Sequence, residues 1–305
     1  MSKQFIIQVD ELQLSFEDGT AFNFNDINIT KGKITGIIGP NGSGKTTFVE
    51  AVLGLRKLNK ARIWIDGIPQ KEFFKDNASR KVLGSQLQVF AFSELVKVSE
   101  MIALHKALYG KQSNRVYEAL AMDELLNKRL DKLSGGQKQR INLYMALAHM
   151  PKLVTLDEPS AALDKNMAER LIELLQYLSD VQNCSILMIT HHPYELDICH
   201  EIISIYGGTK TYHASREVFL NDIIGAFHAQ IFIGDNENAT LIQAEVNNIK
   251  HVKQHFMQGN QIDIYGQKTM EVGFLALIKK HQLKSYSFGQ SNSADILKIS
   301  TSFIG

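Results

Sequence analysis

Two cysteines, Cys184 and Cys199, are all that this 305-residue chain contains. That argues against a disulfide framework and against a cysteine-based zinc module. Cys184 opens an apolar run and Cys199 lies in a helix-like stretch, so both are expected as reduced core residues. Excess charge is missing too: 33 basic residues against 32 acidic ones leave a net +1. With no acidic or basic tail, the electrostatic footprint of a nucleic-acid-binding protein is absent, and no nucleic-acid partner is expected. No apolar run nears the roughly 20 residues that span a bilayer. The opening MSKQFIIQVDELQLSF lacks the long apolar segment and small-residue cleavage site of a signal peptide. A cytosolic protein is expected, and any membrane task would need a partner inside the membrane. No internal repeat or low-complexity segment is apparent.

What remains is an ordinary globular composition, 44% hydrophobic and 21% charged, long enough for one large or two modest domains. The first thirty residues alternate, with Phe5, Ile7, Val9, then Leu12, Leu14, Phe16, then Phe22, Phe24, Ile27 and Ile29. They read as antiparallel strands around the turn Glu17-Asp18-Gly19-Thr20. Ile34–Ile38 is a continuous apolar strand of the kind buried in parallel sheets. Lys45–Leu55 has helical spacing, and Arg62–Ile65 looks like another strand. From 99 to 150 helices dominate, with Ser99 able to cap the stripe Ile102, Leu104, Ala107, Leu108, a helix near Arg115–Ala121, and a third at Gln137–His149. Leu153–Leu156 and Ile186–Ile189 are strands flanking the helix Ala168–Leu178. Strands alternating with helices predict an α/β parallel core with a helical insertion beside it. Beyond about 225 the texture changes. Ile231–Ile233, Thr240–Val246, Gln261–Tyr265 and Ser285–Phe288 read as strands, while Thr269–His281 and Ser293–Ile304 read as helices. The expected domains are 1–225 and a small α+β domain at 226–305.

Strand Ile34–Ile38 runs straight into Gly39-Pro40-Asn41-Gly42-Ser43-Gly44-Lys45-Thr46-Thr47. Glycines let such a loop fold with its N–H groups turned inward on phosphate oxygens, at the positive end of the following helix. Lys45 would reach the β and γ phosphates, and the Thr46 hydroxyl would bind Mg²⁺. A second apolar strand ends in Asp157-Glu158-Pro159. There Asp157 can hold Mg²⁺ and Glu158 can orient or deprotonate the attacking water. The plainer reading is a pair of acids capping a helix after Pro159.

Leu133-Ser134-Gly135-Gly136-Gln137, beside this phosphate loop, resembles the hallmark of the ATP-binding cassette (ABC) family, and the likeness covers residues 5 to about 215. The resemblance implies an ABC-type phosphate-loop core with an N-terminal antiparallel β subdomain and a helical subdomain. It implies ATP and Mg²⁺ as ligands and ATP hydrolysis as the activity. It also implies a head-to-tail dimer in which Ser134, Gly135, Gly136 and Gln137 close on the γ-phosphate held by the opposite subunit. Ser134 equally fits a simple helix cap. Gln88 resembles the lid-loop glutamine that contacts Mg²⁺ and the attacking water, with Gln86 a nearby rival. Asp164, in Ala161-Ala162-Leu163-Asp164, resembles the D-loop aspartate of the dimer interface, and His191 resembles the switch histidine on the γ-phosphate. His192 fits a metal ligand or a surface residue. Phe16 lies where relatives stack an aromatic on adenine, but it also continues a core alternation; Phe22 is a second candidate.

Three uses of a cassette compete. DNA-maintenance relatives carry a coiled coil or zinc module between the two halves, whereas Lys45 and Ser134 lie only 89 positions apart. Translation-factor relatives carry two cassettes, and this chain has one. The runs LGSQLQ and LDEPSAALD resemble single-cassette subunits of ABC-2 type exporters for drugs, antibiotics and bacteriocins, whose tails the segment 293–305 loosely resembles. The implied protein energises an integral-membrane permease as a homo- or heterodimer on the inner face of the cell membrane. The energising subunit of an importer is the alternative.

Overall fold

The early alternation becomes a hairpin. Strand β1 (Phe5–Ser15) pairs antiparallel with β2 (Ala21–Thr30), from Phe5 opposite Thr30 to Ser15 opposite Ala21. Its inward residues Ile7, Val9, Leu12 and Leu14 are buried. The computed structural model describes residues 4–87, 95–110, 112–234 and 238–302. Its contacts divide the chain after His213 into two compact units.

In the first unit, β3 (Ile34–Ile38) is buried along its whole length and leads into helix α1 (Lys45–Val52). Strands β4 (Lys60–Ile65) and β5 (Ile68–Pro69) follow, then the single-turn helices α2 (Gln70–Phe73) and α3 (Asn77–Arg80), and β6 (Leu83–Gln86). The helical insertion holds α4 (Val98–Tyr109), α5 (Asn114–Ala119) and α6 (Gly135–Leu147). The chain then alternates through β7 (Leu153–Asp157), α7 (Lys165–Asp180), β8 (Ser185–Ile189), α8 (Pro193–Asp197), β9 (Glu201–Tyr206) and β10 (Thr209–Ser215). One ten-stranded sheet results, in the order β5-β4-β1-β2-β10-β9-β3-β8-β7-β6. The pairs β3–β8, β3–β9, β7–β8 and β6–β7 are parallel. Parallel pairing with helical crossovers buries both faces, which is why β3, β7 and β8 read as unbroken apolar runs. The C-terminal ends of β3 and β7 thereby lie on the same rim of the sheet.

The insertion departs from expectation at α4. Ser99 is not the cap: the helix begins at Val98, and the Glu100 carboxylate accepts the Lys97 N–H at 2.8 Å. Val98, Met101 and His105 form the buried face, while Leu104 and Leu108 point outward at 51% and 56% exposure. The apolar stripe visible in the sequence is the helix's outer face. The inner face is anchored by rings, with Tyr109 stacked between His105 (4.5 Å) and His149 (4.2 Å). His149 Nε2 donates to the Leu83 carbonyl at 3.2 Å, which ties the insertion to the start of β6. Burial keeps His149 neutral, its pKa pushed down to about 4.

The second unit contains α9 (Arg216–Val218), a π-helical segment Phe219–Gly225, and the strands β11 (Phe227–Phe232), β12 (Val252–Gln258), β13 (Gln261–Gly266) and β14 (Tyr286–Gln290). The strands order as β12-β13-β11-β14 and are antiparallel throughout. Helices α10 (Ala239–Val246), α11 (Glu271–His281) and α12 (Ser293–Ser302) complete it. By its contacts the segment 214–225 groups with this unit, and Arg216 donates to Ser293 Oγ at 3.0 Å.

Two sequence readings fail here. Thr240–Val246 is a helix and not a strand. Its even-numbered residues fit a period of two, but the buried pair Ile242 and Val246 is spaced i,i+4, and Asn238 caps the turn by accepting from Leu241 N at 3.0 Å. Strand β12 went unread because VKQHFMQ sits at the sheet edge with no residue fully buried, so it carries no alternation.

A charged network docks α12 onto this sheet. His228 donates from Nε2 to Asp263 (2.8 Å) and from Nδ1 to Asp295 (2.9 Å), with its ring stacked 4.3 Å from that of Tyr265. Lys298 reaches the other Asp263 oxygen at 2.6 Å. Burial alone would lower the His228 pKa, but the two carboxylates outweigh it and the net shift is upward. A raised folded-state pKa gives stability that is complete below the unfolded value of about 6.5 and is lost as pH rises through the folded value. Amide exchange of α12 is therefore expected to quicken on going from about pH 6 to pH 9, beyond the intrinsic base-catalysed increase, and this excess should vanish in His228→Gln. An equal excess in both proteins would remove the charge on His228 as its source.

Candidate functional site

The rim where β3 and β7 end opens into a pocket of about 590 Å³. The phosphate-loop side supplies Asn41, Gly42, Gly44, Lys45, Thr46 and Thr47; the acidic side supplies Asp157 and Glu158; β8 and the residues after it supply Ile189 and His191. From the β1–β2 hairpin come Phe16, Asp18, Thr20 and Phe22.

The loop takes its shape from close backbone approach. Gly39 has φ 146°, and a Cβ there would lie 2.1 Å from the Ile205 carbonyl oxygen, so only glycine fits. Lys45, 7% exposed, folds back over the loop and donates to the carbonyls of Gly39 (2.8 Å) and Pro40 (2.9 Å). Burial lowers its pKa, and the nearby Glu158 and Asp157 charges partly restore it. Thr46 Oγ1 donates to Asp157 Oδ2 at 3.0 Å. Asp157 is 3% exposed, and burial raises its pKa against the Thr46 hydrogen bond and Lys45.

Glu158 lies one step further on with φ 49°, a left-handed conformation that costs a non-glycine residue about 1–2 kcal/mol. Its N–H donates to the Ile189 carbonyl at 2.9 Å, and its carboxylate lies 3.7 Å from His191 Nε2. Burial lowers the His191 pKa, followed by Lys45, with Glu158 opposing. The imidazole is therefore neutral near pH 7.

Two buried polar atoms in this region, Ser43 Oγ and His191 Nε2, have no hydrogen-bond partner. Buried polar groups are rarely left unpaired, and here a buried lysine and the start of a helix lie alongside. Phosphate oxygens would satisfy all of these groups at once. The Thr46 hydroxyl and Asp157 carboxylate together form the all-oxygen donor set suited to a hard cation such as Mg²⁺. The residues present therefore fit both ligands.

Phe16 and Phe22 both reach the pocket, edge to face with centroids 5.6 Å apart, while both also lean on the core. Gln88 lies outside the described residues. Its rival Gln86 is described, and its carboxamide is spent on the main chain of Asp157. His192 stacks on Tyr194 at 5.3 Å, and among the described residues no cluster could hold a metal through His, Cys, Asp or Glu.

The Ser134–Gln137 segment does not line this pocket. Ser134 and Gln137 form a capping box, Ser134 Oγ accepting from Gln137 N at 3.3 Å and Gln137 Oε1 accepting from Ser134 N at 3.2 Å. Gly136 lies so close to Ala162 that a Cβ would sit 2.5 Å from its carbonyl oxygen. Asp164 caps α7, accepting from Met167 N at 2.9 Å. Sequence reasoning did not find Gln139, which donates to the Glu158 and Pro159 carbonyls at 3.4 and 2.8 Å and braces α6 against the end of the acidic strand. Its only trace in the sequence is a polar residue one turn inside a helix.

A model of the ABC transporter family matches residues 23–161. The bacitracin export ATP-binding protein of Halalkalibacterium halodurans is 31% identical over 216 residues, spanning 65% of this chain and 85% of that one. The chain belongs to the ABC transporter family. It is an ATPase of the cassette type and the ATP-binding subunit of a transporter. Another relative is the methionine import ATP-binding protein of Vibrio cholerae, 36% identical over 60% of this chain and 57% of its own length. Among solved structures, a dimeric post-hydrolysis ATP-binding cassette bound to ADP and Pi superposes with a TM-score of 0.59. That cassette is 25% identical, and the match covers 68% of this chain and 98% of the other. Export and import are thus both represented among the relatives. Among the described residues no helix is long and apolar enough to cross a membrane.

Proposed function

We propose that this ABC subunit hydrolyses ATP to drive a membrane exporter, working as a dimer on the cytoplasmic face of the membrane against an integral-membrane permease. One observation carries the reading. Lys45, Thr46, Asp157, Glu158 and His191 surround a single pocket, while the helix start at Ser134 faces none of it. A second subunit's Ser134–Gln137 segment would supply the missing wall, in keeping with the dimeric cassette to which this chain is similar.

In this mechanism the loop N–H groups from Asn41 to Thr47 and the Lys45 ammonium hold the β and γ phosphates of ATP, with Phe16 against the adenine. Thr46 and Asp157 would hold Mg²⁺, with Gln88 as a further contact. The cation would supply charge neutralisation on the phosphates. Glu158 accepts a proton from the water as its oxygen attacks the γ-phosphorus and the bond to the β-phosphate oxygen breaks. Neutral His191 donates a hydrogen bond from Nε2 to the γ-phosphoryl group. Asp164 organises the facing surface by fixing the start of α7.

The bacitracin export relative and the likeness of this chain to ABC-2 type subunits support export. The methionine import relative supports the second reading, an importer. Isolation of the intact complex from native membranes discriminates them. A polytopic membrane partner without a solute-binding protein, and ATP-driven extrusion from cells, is expected. Co-purification of a solute-binding protein with ATP-driven uptake would overturn export.

A further inference from the structure

We propose that Gln86 is a positioning residue for hydrolysis, its carboxamide clamping the main chain of Asp157 so that the Asp157 carboxylate stays on Thr46. Gln86 Oε1 accepts from Asp157 N at 3.1 Å, and Gln86 Nε2 donates to Asp157 O at 3.1 Å. The side chain is 3% exposed. A single carboxamide thus meets both hydrogen-bonding groups of one residue, as a neighbouring strand would.

The sheet explains why a clamp is useful there. In a parallel ladder the N–H and C=O of one residue face the same neighbour, and successive residues alternate. Leu153 N bonds to Val82 O on the β6 side, whereas Glu158 N bonds to Ile189 O on the β8 side. Asp157 therefore turns both of its main-chain groups toward β6, the edge strand. Strand β6 ends at Gln86, opposite Leu156, one residue short of Asp157. The Gln86 carboxamide extends the ladder by that one residue. One step earlier, Thr155 Oγ1 donates to Ser85 Oγ at 2.9 Å, so the strand end is fixed by side chains twice in succession. With Ile189 O holding Glu158 from the other flank, the Asp157–Glu158 step is gripped on both sides. Its position does not depend on strand pairing beyond Gln86.

This inference rests on the reading of Asp157 as a metal-holding residue, so its test carries a control for that reading. The full-length chain is compared with Gln86→Leu, Gln86→Glu and Asp157→Asn. The probes are amide exchange over 153–158 and the affinity for a fluorescent ATP analogue with Mn²⁺ and with EDTA. A buried group left unpaired loses about 1–3 kcal/mol, which sets the scale at roughly tenfold. In Gln86→Leu, exchange at Asp157 should rise about tenfold and the Mn²⁺-dependent gain in affinity should fall about tenfold. Affinity in EDTA should stay unchanged, and kcat should fall without a matching rise in KM. In Gln86→Glu the ionised carboxylate can accept from Asp157 N but cannot donate to Asp157 O, so exchange at Asp157 should rise and the Mn²⁺ gain should fall in the same direction as in Gln86→Leu. If Gln86→Leu does not fold, Gln86→Glu decides alone, and parental exchange and gain in that variant overturn the proposal. A wild-type Mn²⁺ gain in Gln86→Leu, with Asp157→Asn losing it, overturns the Gln86 clamp alone. A wild-type gain in Asp157→Asn overturns the metal reading of Asp157, and the clamp's role with it.

Discussion

Glu158→Gln is expected to bind ATP as the parent does and to turn it over about 10²–10⁴-fold more slowly, the range that a positioned general base contributes. Glutamine has nearly the same shape and retains a hydrogen-bonding oxygen, so the turn at φ 49° and the Glu158 N–H bond to Ile189 O persist. What it loses is the capacity to take a proton. Among the described residues lining the pocket, the adjacent carboxylate, Asp157, is engaged by Thr46, and the proposed mechanism uses His191 as a donor. With hydrolysis blocked and ATP held, the closed dimer should accumulate and be seen as an ATP-dependent doubling of mass by light scattering. Normal turnover in this variant would remove Glu158 from the catalytic role.

Ser134→Arg separates binding from closure. The substitution removes one side of the capping box, a loss of about 0.5–2 kcal/mol against the 5–15 kcal/mol that stabilises a typical domain. The fold should survive. Nucleotide affinity should also survive, because Ser134 does not line the pocket of its own chain. If the proposed two-subunit site holds, turnover should fall at least ~10²-fold, as when one preorganised donor to a developing anion is removed, since arginine cannot cap the helix and its bulk would fill the surface that the proposal gives to the opposing γ-phosphate. The measurement is ATPase activity as a function of protein concentration and of ATP. Cooperative hydrolysis at the parent rate by Ser134→Arg would sink the two-subunit site.

Both variants could be chosen from the sequence because the motifs that carry them are local. A phosphate loop needs a strand, glycines and a helix start in immediate succession. The continuous apolar run Ile34–Ile38 and the spacing after Lys45 announce all three. Other elements were legible only when burial and periodicity agreed. On α4 they disagreed, since the conspicuous leucines Leu104 and Leu108 face outward and the buried face includes His105. On α10 the pair Ile242 and Val246 suits either period, so the Asn238 cap had to decide.

The sequence by itself determined the family, named the acidic and basic residues that line the pocket, and offered Ser134 as a helix cap. These depend on which residue types follow one another, and a short covalent order already encodes them. The tertiary structure alone decided that Ser134 lies off the pocket of its own chain and that Phe16 and Phe22 share the pocket's mouth. It alone assigned the Gln86 carboxamide to the Asp157 main chain and joined His228 to Asp263 and Asp295. Each of those facts is a meeting of side chains brought together by strand order and register, which no spacing along the chain expresses.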